Sequence, residues 1–132
     1  MIRLALGLAI GLALTLGAGA GAAAQSAALT DFRDTLEQPV VHLRGLDNLN
    51  GTAQDITVRA GETVRYGHLE ITAETCRVPR DSPTADAYAF LKLRDVRETS
   101  PRFSGWMFAS SPALSALDHP RYDVWVVSCS SA

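Results

Sequence analysis

Apolar and polar residues alternate along most of the chain beyond residue 40, and this period of two is the pattern of half-buried β-strands. Val41 and Leu43, for example, alternate with His42 and Arg44. Clusters of Gly, Pro, Asn and Asp separate the alternating stretches and mark turns. The predicted strands lie at residues 41–46, 56–59, 63–66, 69–75, 85–96, 103–108 and 122–129. With no long helical period and no internal repeat, the pattern predicts an all-β fold, a small antiparallel sandwich or Greek-key barrel of about seven strands.

The stretch between the last two predicted strands carries a short helical signal. Ser111 is of a residue type favoured at a helix N-cap, and Pro112 fits the first helical position. Leu114 and Leu117 lie one turn apart, and Pro120 prevents any extension. These residues predict one short helical turn from Ser111 to Leu117.

The last predicted strand is apolar on both of its faces. Tyr122, Val124 and Val126 point one way, and Trp125 and Val127 point the other. A strand of this kind is usually covered on both faces, so we expect it to be central in its sheet. Trp125 is accordingly expected in the core, as is the phenylalanine that ends the preceding strand.

The N-terminal residues have the three regions of a secretory signal peptide. Arg3 precedes an apolar run, and a Gly/Ala-rich stretch then ends in three alanines. The unbroken run is shorter than the ~20 residues that span a bilayer. No stop-transfer cluster follows it, and no cysteine near the cleavage point suggests a lipoprotein. We therefore expect residues 1–24 to be removed by cleavage after Ala24, although the bond after Ala20 would also serve, and the protein to be periplasmic.

Cleavage would leave 132 − 24 = 108 residues, the size of one domain. Residues 25–39 mix alanine with charged residues and end at Pro39, and we expect them to form a flexible leader. Residues 40–132 are predicted to form a single β domain. The net charge is −2 without a basic patch, so nucleic-acid binding has little support, and no segment suggests direct lipid binding.

The chain has two cysteines, Cys76 and Cys129, and an even number in an exported chain predicts a disulfide. Strand alternation raises a conflict, because Cys76 falls in phase with the polar Glu70 and Glu74, whereas Cys129 shares a face with Trp125. A β-bulge or the end of the strand would resolve it, and two unpaired thiols are the alternative. No CxxC motif occurs, so neither redox catalysis nor structural zinc is expected.

The histidines give little indication of a metal site. No pair among His42, His68 and His119 has a ligand spacing such as HxH or HxxxH. His119 is the one with an acidic neighbour, Asp118, and it can face the last carbonyls of the predicted helical turn. We therefore predict no metal and no cofactor, and interpret the histidines as exposed or capping residues.

Two kinds of hydrolase have candidate residues in this chain. A serine hydrolase could use Ser110 or Ser111 with His119 and Asp123, but no GxSxG elbow surrounds the serines, and Ser111 is better explained as a helix cap. A glycosidase needs two carboxylates across a cleft, and the acidic residues here lack such a context. The candidates for that pair are Glu70, Glu74, Asp118 and Asp123. We expect the protein not to be an enzyme.

Four motifs cover most of residues 40–129. They are LRGLDxxxG at 43–51, VxxGETVRYGxLEITxxxC at 58–76, AFLKL at 89–93 and GWMFASSPALSALDHPRYDVWVVSC at 105–129. Together they resemble the DUF2155 family, exported proteins of alphaproteobacteria without an established activity. The resemblance implies an envelope protein with paired cysteines. It also implies an association with the respiratory NADH dehydrogenase, because family members tend to be encoded near genes for accessory parts of that complex.

These observations favour an exported, non-enzymatic interaction module, an accessory subunit on the periplasmic face of an inner-membrane respiratory complex. One alternative is a β domain that binds cell-wall or other glycans and uses an exposed Trp106 or Tyr122 as a stacking platform. The other is the small hydrolase. Aromatic residues and Met are enriched at interface hot spots, and a turn held by prolines would be pre-organised for binding. The candidate contact residues are Trp106, Met107, Ser110, Leu114, His119 and Tyr122.

Overall fold

Eight β-strands in two antiparallel sheets make up most of residues 32–132, the part of the chain that the computed structural model describes. The strands are β1 (Thr35–Gln38), β2 (Val40–Asp47), β3 (Thr52–Arg59), β4 (Thr63–Tyr66), β5 (Leu69–Pro79), β6 (Tyr88–Asp95), β7 (Phe103–Phe108) and β8 (Tyr122–Ser130). Two short 3₁₀ turns, Phe32–Asp34 and Pro112–Leu114, are the helical elements of these residues. The predicted signal peptide and residues 25–31 of the leader lie outside the described residues.

The two sheets pack face to face as a sandwich. The first has the order β1-β5-β6-β7, and β4 pairs with β5 along the same edge as β1. The second has the order β3-β2-β8. Alternating apolar residues of both sheets, such as Leu43 of β2 and Leu91 of β6, meet in one core. The predicted all-β fold is confirmed, with eight strands where about seven were expected.

The prediction of a flexible leader is wrong for its last residues, because Thr35–Gln38 form β1. This strand pairs with Cys76–Pro79 of β5. The eleven residues of β5 extend beyond β4, so the second half of the strand would otherwise present an unpaired edge. Arg77 reinforces the pairing, because its Nε donates to Thr35 Oγ1 at 2.7 Å. The folded β domain therefore begins before residue 40.

Several element boundaries also differ from the prediction, since β3 begins at Thr52 instead of Ile56 and β5 extends to Pro79 instead of Thr75. Strand β6 begins at Tyr88 instead of Ala85, because the N–H of Ala85 closes a turn on the carbonyl of Ser82 at 3.0 Å. The predicted helical turn shrinks to Pro112–Leu114, and the Ser111 side chain makes no cap hydrogen bond. The chain turns extended directly after it, which allows Leu117 to enter the core.

Strand β8 lies at an edge of its sheet, not at the centre as predicted, and β2 is the central strand. The assignment of faces was right, because Tyr122, Val124 and Val126 are buried in the core. Trp125 is only half-buried on the opposite face, so its prediction as a core residue is wrong, and the same holds for Phe108. The apolar outer face of β8 reflects a partly exposed surface and not a second covering layer.

Two β-bulges bring the cysteines together in the core. The β5–β6 register shifts between Ala73 and Thr75, and the bulge turns the fully buried Cys76 inward. The β2–β8 register shifts beside Val127, which places Cys129 opposite the buried Val41 instead of on the face of Trp125. The predicted disulfide Cys76–Cys129 is present, with a Cα–Cα distance of 5.9 Å. The conflict in strand phase is thus resolved by bulges on both strands.

Candidate functional site

The segment between β7 and β8, residues 109–121, contains three of the six predicted contact residues and is named here the β7–β8 connection. Its first residues are fixed to the start of β6. The N–H of Ala109 donates to the carbonyl of Ala87 at 2.9 Å. Asp86 accepts from the N–H of Ser110 at 2.9 Å and from the Ser110 hydroxyl at 2.6 Å. The same carboxylate accepts from the N–H of Ala87 at 2.8 Å, so it is held in place on both sides.

His119 fixes the other end of the β7–β8 connection from inside the protein. Its Nε2 lies 2.9 Å from Oδ2 of Asp95, and its Nδ1 accepts from the N–H groups of Arg121 at 3.0 Å and Tyr122 at 3.2 Å. Since Nδ1 accepts, the neutral ring carries its proton on Nε2 and donates it to Asp95. His119 is therefore a buried structural residue, not the exposed or helix-capping one that was predicted.

Asp95, at the end of β6, is the fully buried centre of this polar cluster. Arg97 binds it through Nε at 2.9 Å, Nη2 at 2.6 Å and the backbone N–H at 3.0 Å. The hydrogen bonds from Arg97, and next the one from His119, hold the pKa of the Asp95 carboxyl far below its usual range. Conversely, the bond to Asp95 raises the pKa of Arg97. Asp95 is thus a permanently ionised acceptor that orients the histidine.

A second ion pair closes the connection at Arg121. Its Nε and Nη2 donate to the two carboxylate oxygens of Asp47 at 3.0 and 2.8 Å, a bidentate side-on geometry that makes a strong pair. Asp47 also accepts from the N–H of Leu49 at 3.0 Å, and so shapes the turn after β2. The Arg121 hydrogen bond is the main cause that lowers the pKa of Asp47 to about 2. The pair ties the end of the connection to the end of β2.

Tyr122 packs at the junction of these clusters. Its hydroxyl accepts from the N–H of His68 at 3.3 Å, and its ring lies 5.3 Å from that of Tyr66. Gly67 has a positive φ of 55°, and a Cβ there would collide with the Tyr122 ring. Glycine at this turn therefore serves both the backbone conformation and the close approach of the tyrosine.

The middle of the β7–β8 connection lacks such anchors. Leu114 is 77% exposed, the largest value among the exposed large apolar residues of the described part. Beside it lies a mostly apolar cavity of about 300 Å³ between the 3₁₀ turn and β8. Its lining residues are Pro112, Ala113, Ala116, Leu117, Asp123, Val124 and Trp125. An exposed leucine next to an apolar cavity is typical of a contact surface.

A second cavity, of about 330 Å³, lies further along β8 next to the disulfide. It is more polar, since the Asp86–Ser110 pair lies on one side and Ser128 on the other. Residues 123–125 of β8 line the first cavity, and residues 127–129 line the second. The two cavities therefore follow one another along the same strand.

The six predicted contact residues do not form one surface. Met107, His119 and Tyr122 are buried, with exposures of 2%, 8% and 2%, so they pack in the interior and are not part of an exposed contact surface. Ser110 and Leu114 are exposed in the connection. Trp106 lies apart from them, on the outer face of the first sheet.

Trp106 belongs to a strip of half-buried aromatic side chains on that outer face. Phe90 meets its ring edge to face at a centroid distance of 5.4 Å, and Tyr88 meets Phe108 in the same manner at 5.7 Å. Phe32, from the 3₁₀ turn before β1, stacks on Trp106 at 4.6 Å. Because Phe32 occupies this ring face, a sugar would have to displace it in order to stack on Trp106.

The triad of the alternative hydrolase hypothesis is not assembled. Ser110 donates to Asp86, and Asp123 accepts from the amide of Asn48 at 3.0 Å. Both ring nitrogens of His119 are engaged with Asp95 and the backbone. Each member of the proposed triad thus has a different partner, and the base has no free nitrogen.

Asp95, Glu98 and His119 each place one potential ligand atom within 4.8 Å of the others, an arrangement that can in principle hold a cation. Cationic side chains already occupy it. Arg97 binds Asp95, and Arg102 Nε binds Glu98 at 2.9 and 3.1 Å. The donor set therefore functions as two ion pairs linked to a histidine, and its residues do not fit a resident metal.

Sequence reasoning missed the two aspartates that hold the connection. Asp47 carried a local signal, because an aspartate just before Asn-Leu-Asn-Gly favours an Asx-type turn. Asp95 gave none, since its partner His119 lies 24 residues away. The sequence pattern could identify the strands that end in these aspartates, but not their partners.

Comparison with known proteins places the chain in a family. The model of a family described as an uncharacterized protein conserved in bacteria, DUF2155, matches residues 41–129. The chain belongs to the DUF2155 family. The matched region runs from β2 to the second cysteine, and so contains the core, the disulfide and the β7–β8 connection.

A curated relative of this DUF2155 protein is the uncharacterized protein RP359 of Rickettsia prowazekii (strain Madrid E). The two are 28% identical over 87 residues, which is 64% of this chain and 56% of the relative. The chain thus spans little more than half the length of that relative. No solved structure matches this chain. Within residues 32–132, no helix is long and apolar enough to cross a membrane.

Proposed function

We propose that the mature protein is a non-enzymatic interaction module of the periplasm, which binds a protein partner through the middle of its β7–β8 connection. The observation that carries the proposal is the exposed Leu114 beside an apolar cavity, on a segment that is anchored at both ends. Anchoring by Asp86 and His119 limits the ordering entropy that binding would cost. Exposed apolar residues on a rigid support are the usual basis of a protein contact.

Two features support the periplasmic location. Residues 1–24 have the pattern of a cleavable signal peptide. The Cys76–Cys129 disulfide is of a kind that persists in oxidising compartments. As the partner we propose an inner-membrane respiratory complex, with this protein as an accessory subunit on its periplasmic face, in line with the family resemblance.

A second candidate function, glycan binding, is favoured by the aromatic strip around Trp106. Half-exposed aromatic rings on a sheet can stack against sugar rings. Tyr122 cannot take part because it is buried, and Phe32 covers the face of Trp106. Under this alternative the Phe32→Ala variant would bind peptidoglycan better than the wild-type protein in a pull-down.

The test of the interaction module is affinity purification of the tagged mature chain from gently solubilised envelopes, read by mass spectrometry. Leu114→Asp is the test variant, and Leu49→Asp is its matched control, because Leu49 is 73% exposed in the turn after β2. We expect wild type and the control to retain one membrane complex in near-equal amounts. The amount of complex that co-purifies with Leu114→Asp should be roughly thirtyfold lower, the effect of a hot spot of about 2 kcal/mol. Recovery of the protein alone or with cell-wall fragments would contradict the proposal.

A further inference from the structure

The hydrogen-bond phase of β8 shows which of its backbone groups face away from β2. The N–H of Asn48 donates to the carbonyl of Arg121 at 2.9 Å, just beyond the register pair Asp47–Tyr122. In an antiparallel ladder, hydrogen-bonded and non-hydrogen-bonded pairs alternate. Tyr122, Val124 and Val126 are therefore in non-hydrogen-bonded pairs, and their N–H and C=O groups point to the outer edge. Tyr122 agrees with this phase, because its N–H donates to His119 and not to β2.

The outward groups of Val124 and Val126 have no hydrogen-bond partner within residues 32–132, where β8 pairs with β2 alone. Both residues are nevertheless almost inaccessible, with exposures of 3% and 2%. Buried backbone groups in folded proteins are paired in more than nine cases out of ten, because an unpaired one is costly. The outer edge of β8 thus carries backbone N–H and C=O groups that lack partners, although other residues of the protein cover them.

The β7–β8 connection covers the edge at the first cavity, residues 83–86 with the start of the connection cover it at the second, and this cover fits the edge loosely. Both cavities, of about 300 and 330 Å³, lie along residues 123–129 of β8. Between its fixed ends at Ser110 and His119, the connection contacts the core through Leu117, while Leu114 and the 3₁₀ turn around it are exposed. Seven residues of strand span roughly 23 Å, which suits a short extended peptide.

The charges beside the first cavity indicate what such a peptide would carry. Asp123 lines the cavity and Asp118 is exposed in the connection next to it. Neither carboxylate forms a salt bridge within the described residues, although six other acidic side chains do so with arginine or lysine. The cavity itself is lined mainly by apolar side chains. A complementary segment has an apolar residue for the cavity and a lysine or arginine beside it.

We propose that β8 is a strand-acceptor edge, onto which a partner protein adds an extended segment with alternating apolar and basic residues. Its backbone would pair with Val124 and Val126, an apolar side chain would enter the cavity beside Leu117, and a cation would face Asp118 or Asp123. Recognition by strand addition is a common mode of peptide binding. This inference rests on the proposed function, since it states how the interaction module holds its partner.

The test replaces one outward N–H without disturbing the β2–β8 ladder. Val124→Pro removes an N–H that points away from β2, a position where an edge strand tolerates proline. Val124→Ala is the control for the lost side chain. A photo-crosslinking residue, p-benzoylphenylalanine, is placed at Ala113, which lines the cavity, and the full mature chain is crosslinked in envelopes. Retention of the disulfide and of the β-sheet circular dichroism shows that each variant folds.

We expect the crosslinked partner segment to carry alternating apolar and basic residues. The crosslink yield should be about tenfold lower in Val124→Pro than in Val124→Ala, the factor that corresponds to one hydrogen bond. In the wild-type complex, which needs no variant, hydrogen exchange at the amides of Val124 and Val126 should slow at least about tenfold on binding.

Other outcomes overturn the inference. Equal yields in the two variants, or a crosslink to a second copy of this chain, would contradict strand addition by a partner while leaving an interaction module in place. The same holds if a complex co-purifies but position 113 gives no crosslink. If the wild-type protein retains no partner at all, the proposed function fails, and the strand-acceptor edge fails with it.

Discussion

The two edge strands of the second sheet, β3 and β8, are protected from unwanted pairing in different ways. Most residues of β3 are exposed and polar, and Asp55 forms a salt bridge with Arg44 at 2.7 Å. Polar and charged side chains of this kind discourage the addition of another strand. β8 has no lysine or proline, and its residues 124–127 form an uninterrupted apolar run. Its protection is a bulge and the β7–β8 connection that lies over it.

This difference has a functional consequence. Protection by composition is permanent, because the side chains belong to the strand itself. Protection by a cover depends on the free energy that holds the cover in place, and it can be removed by a partner that binds the edge more tightly. The anchors of the cover, Asp86 at one end and His119 with Arg121 at the other, therefore determine how readily β8 becomes available.

The largest expected effect comes from the disulfide, which ties the end of β8 to β5 and has no counterpart on β3. The double variant Cys76→Ala/Cys129→Ala should lose about 4 kcal/mol of unfolding free energy, because the bridge closes a long loop in the unfolded chain. Urea unfolding of the oxidised wild type and the double variant measures the loss. A difference below about 1 kcal/mol would show that the bulges and core hold the two strands together without the bridge.

The next effect should come from the buried anchor of the connection. His119→Ala removes one hydrogen-bond partner of the buried Asp95 carboxylate and leaves two backbone N–H groups without their acceptor, and should cost about 2–3 kcal/mol of unfolding free energy. His42→Ala is the matched control, since its ring bonds Ser130 from a partly buried position at 2.7 Å. Chemical denaturation measures both variants. If His119→Ala costs no more than the control, the buried cluster does not hold the connection in place.

The same contrast explains what could be predicted from the sequence. The strands, including β7 and β8, follow from a local period of two, so the inward face of β8 was assigned correctly as far as Val126, whereas in β7 the core residue is Met107 and not the predicted Phe108. The bulge at Val127 and the pairing of β1 with β5 depend on strands distant in sequence, which a local pattern does not reveal. For the same reason Trp125 was assigned to a core that does not cover it. Leu114 was a candidate contact residue and is exposed in the structure, whereas the partners of His119 were not predicted.

The smallest expected effect is a difference between the two edges in how the unfolding free energy depends on pH. Asp47, which clamps Arg121 at the end of the cover, has a pKa of about 2 against a usual value of 3.8. Because the folded-state pKa is lowered, its ionised form stabilises the fold above about pH 4, and this contribution is lost as the pH falls from about 4 through about 2. Asp47→Asn should therefore flatten the pH dependence of the unfolding free energy in this range, which urea unfolding at a series of pH values measures.

Asp55→Asn, on the polar edge, is the control for that experiment. Its ion pair with Arg44 is exposed, with side-chain exposures of 80% and 44%, so its loss should change the unfolding free energy by less than about 1 kcal/mol. An equal flattening in both variants would mean that the Asp47–Arg121 pair stabilises the protein no more than a surface pair. A larger effect at Asp47 alone would show that the Asp47–Arg121 pair at the end of the connection stabilises the fold and is weakened by acid.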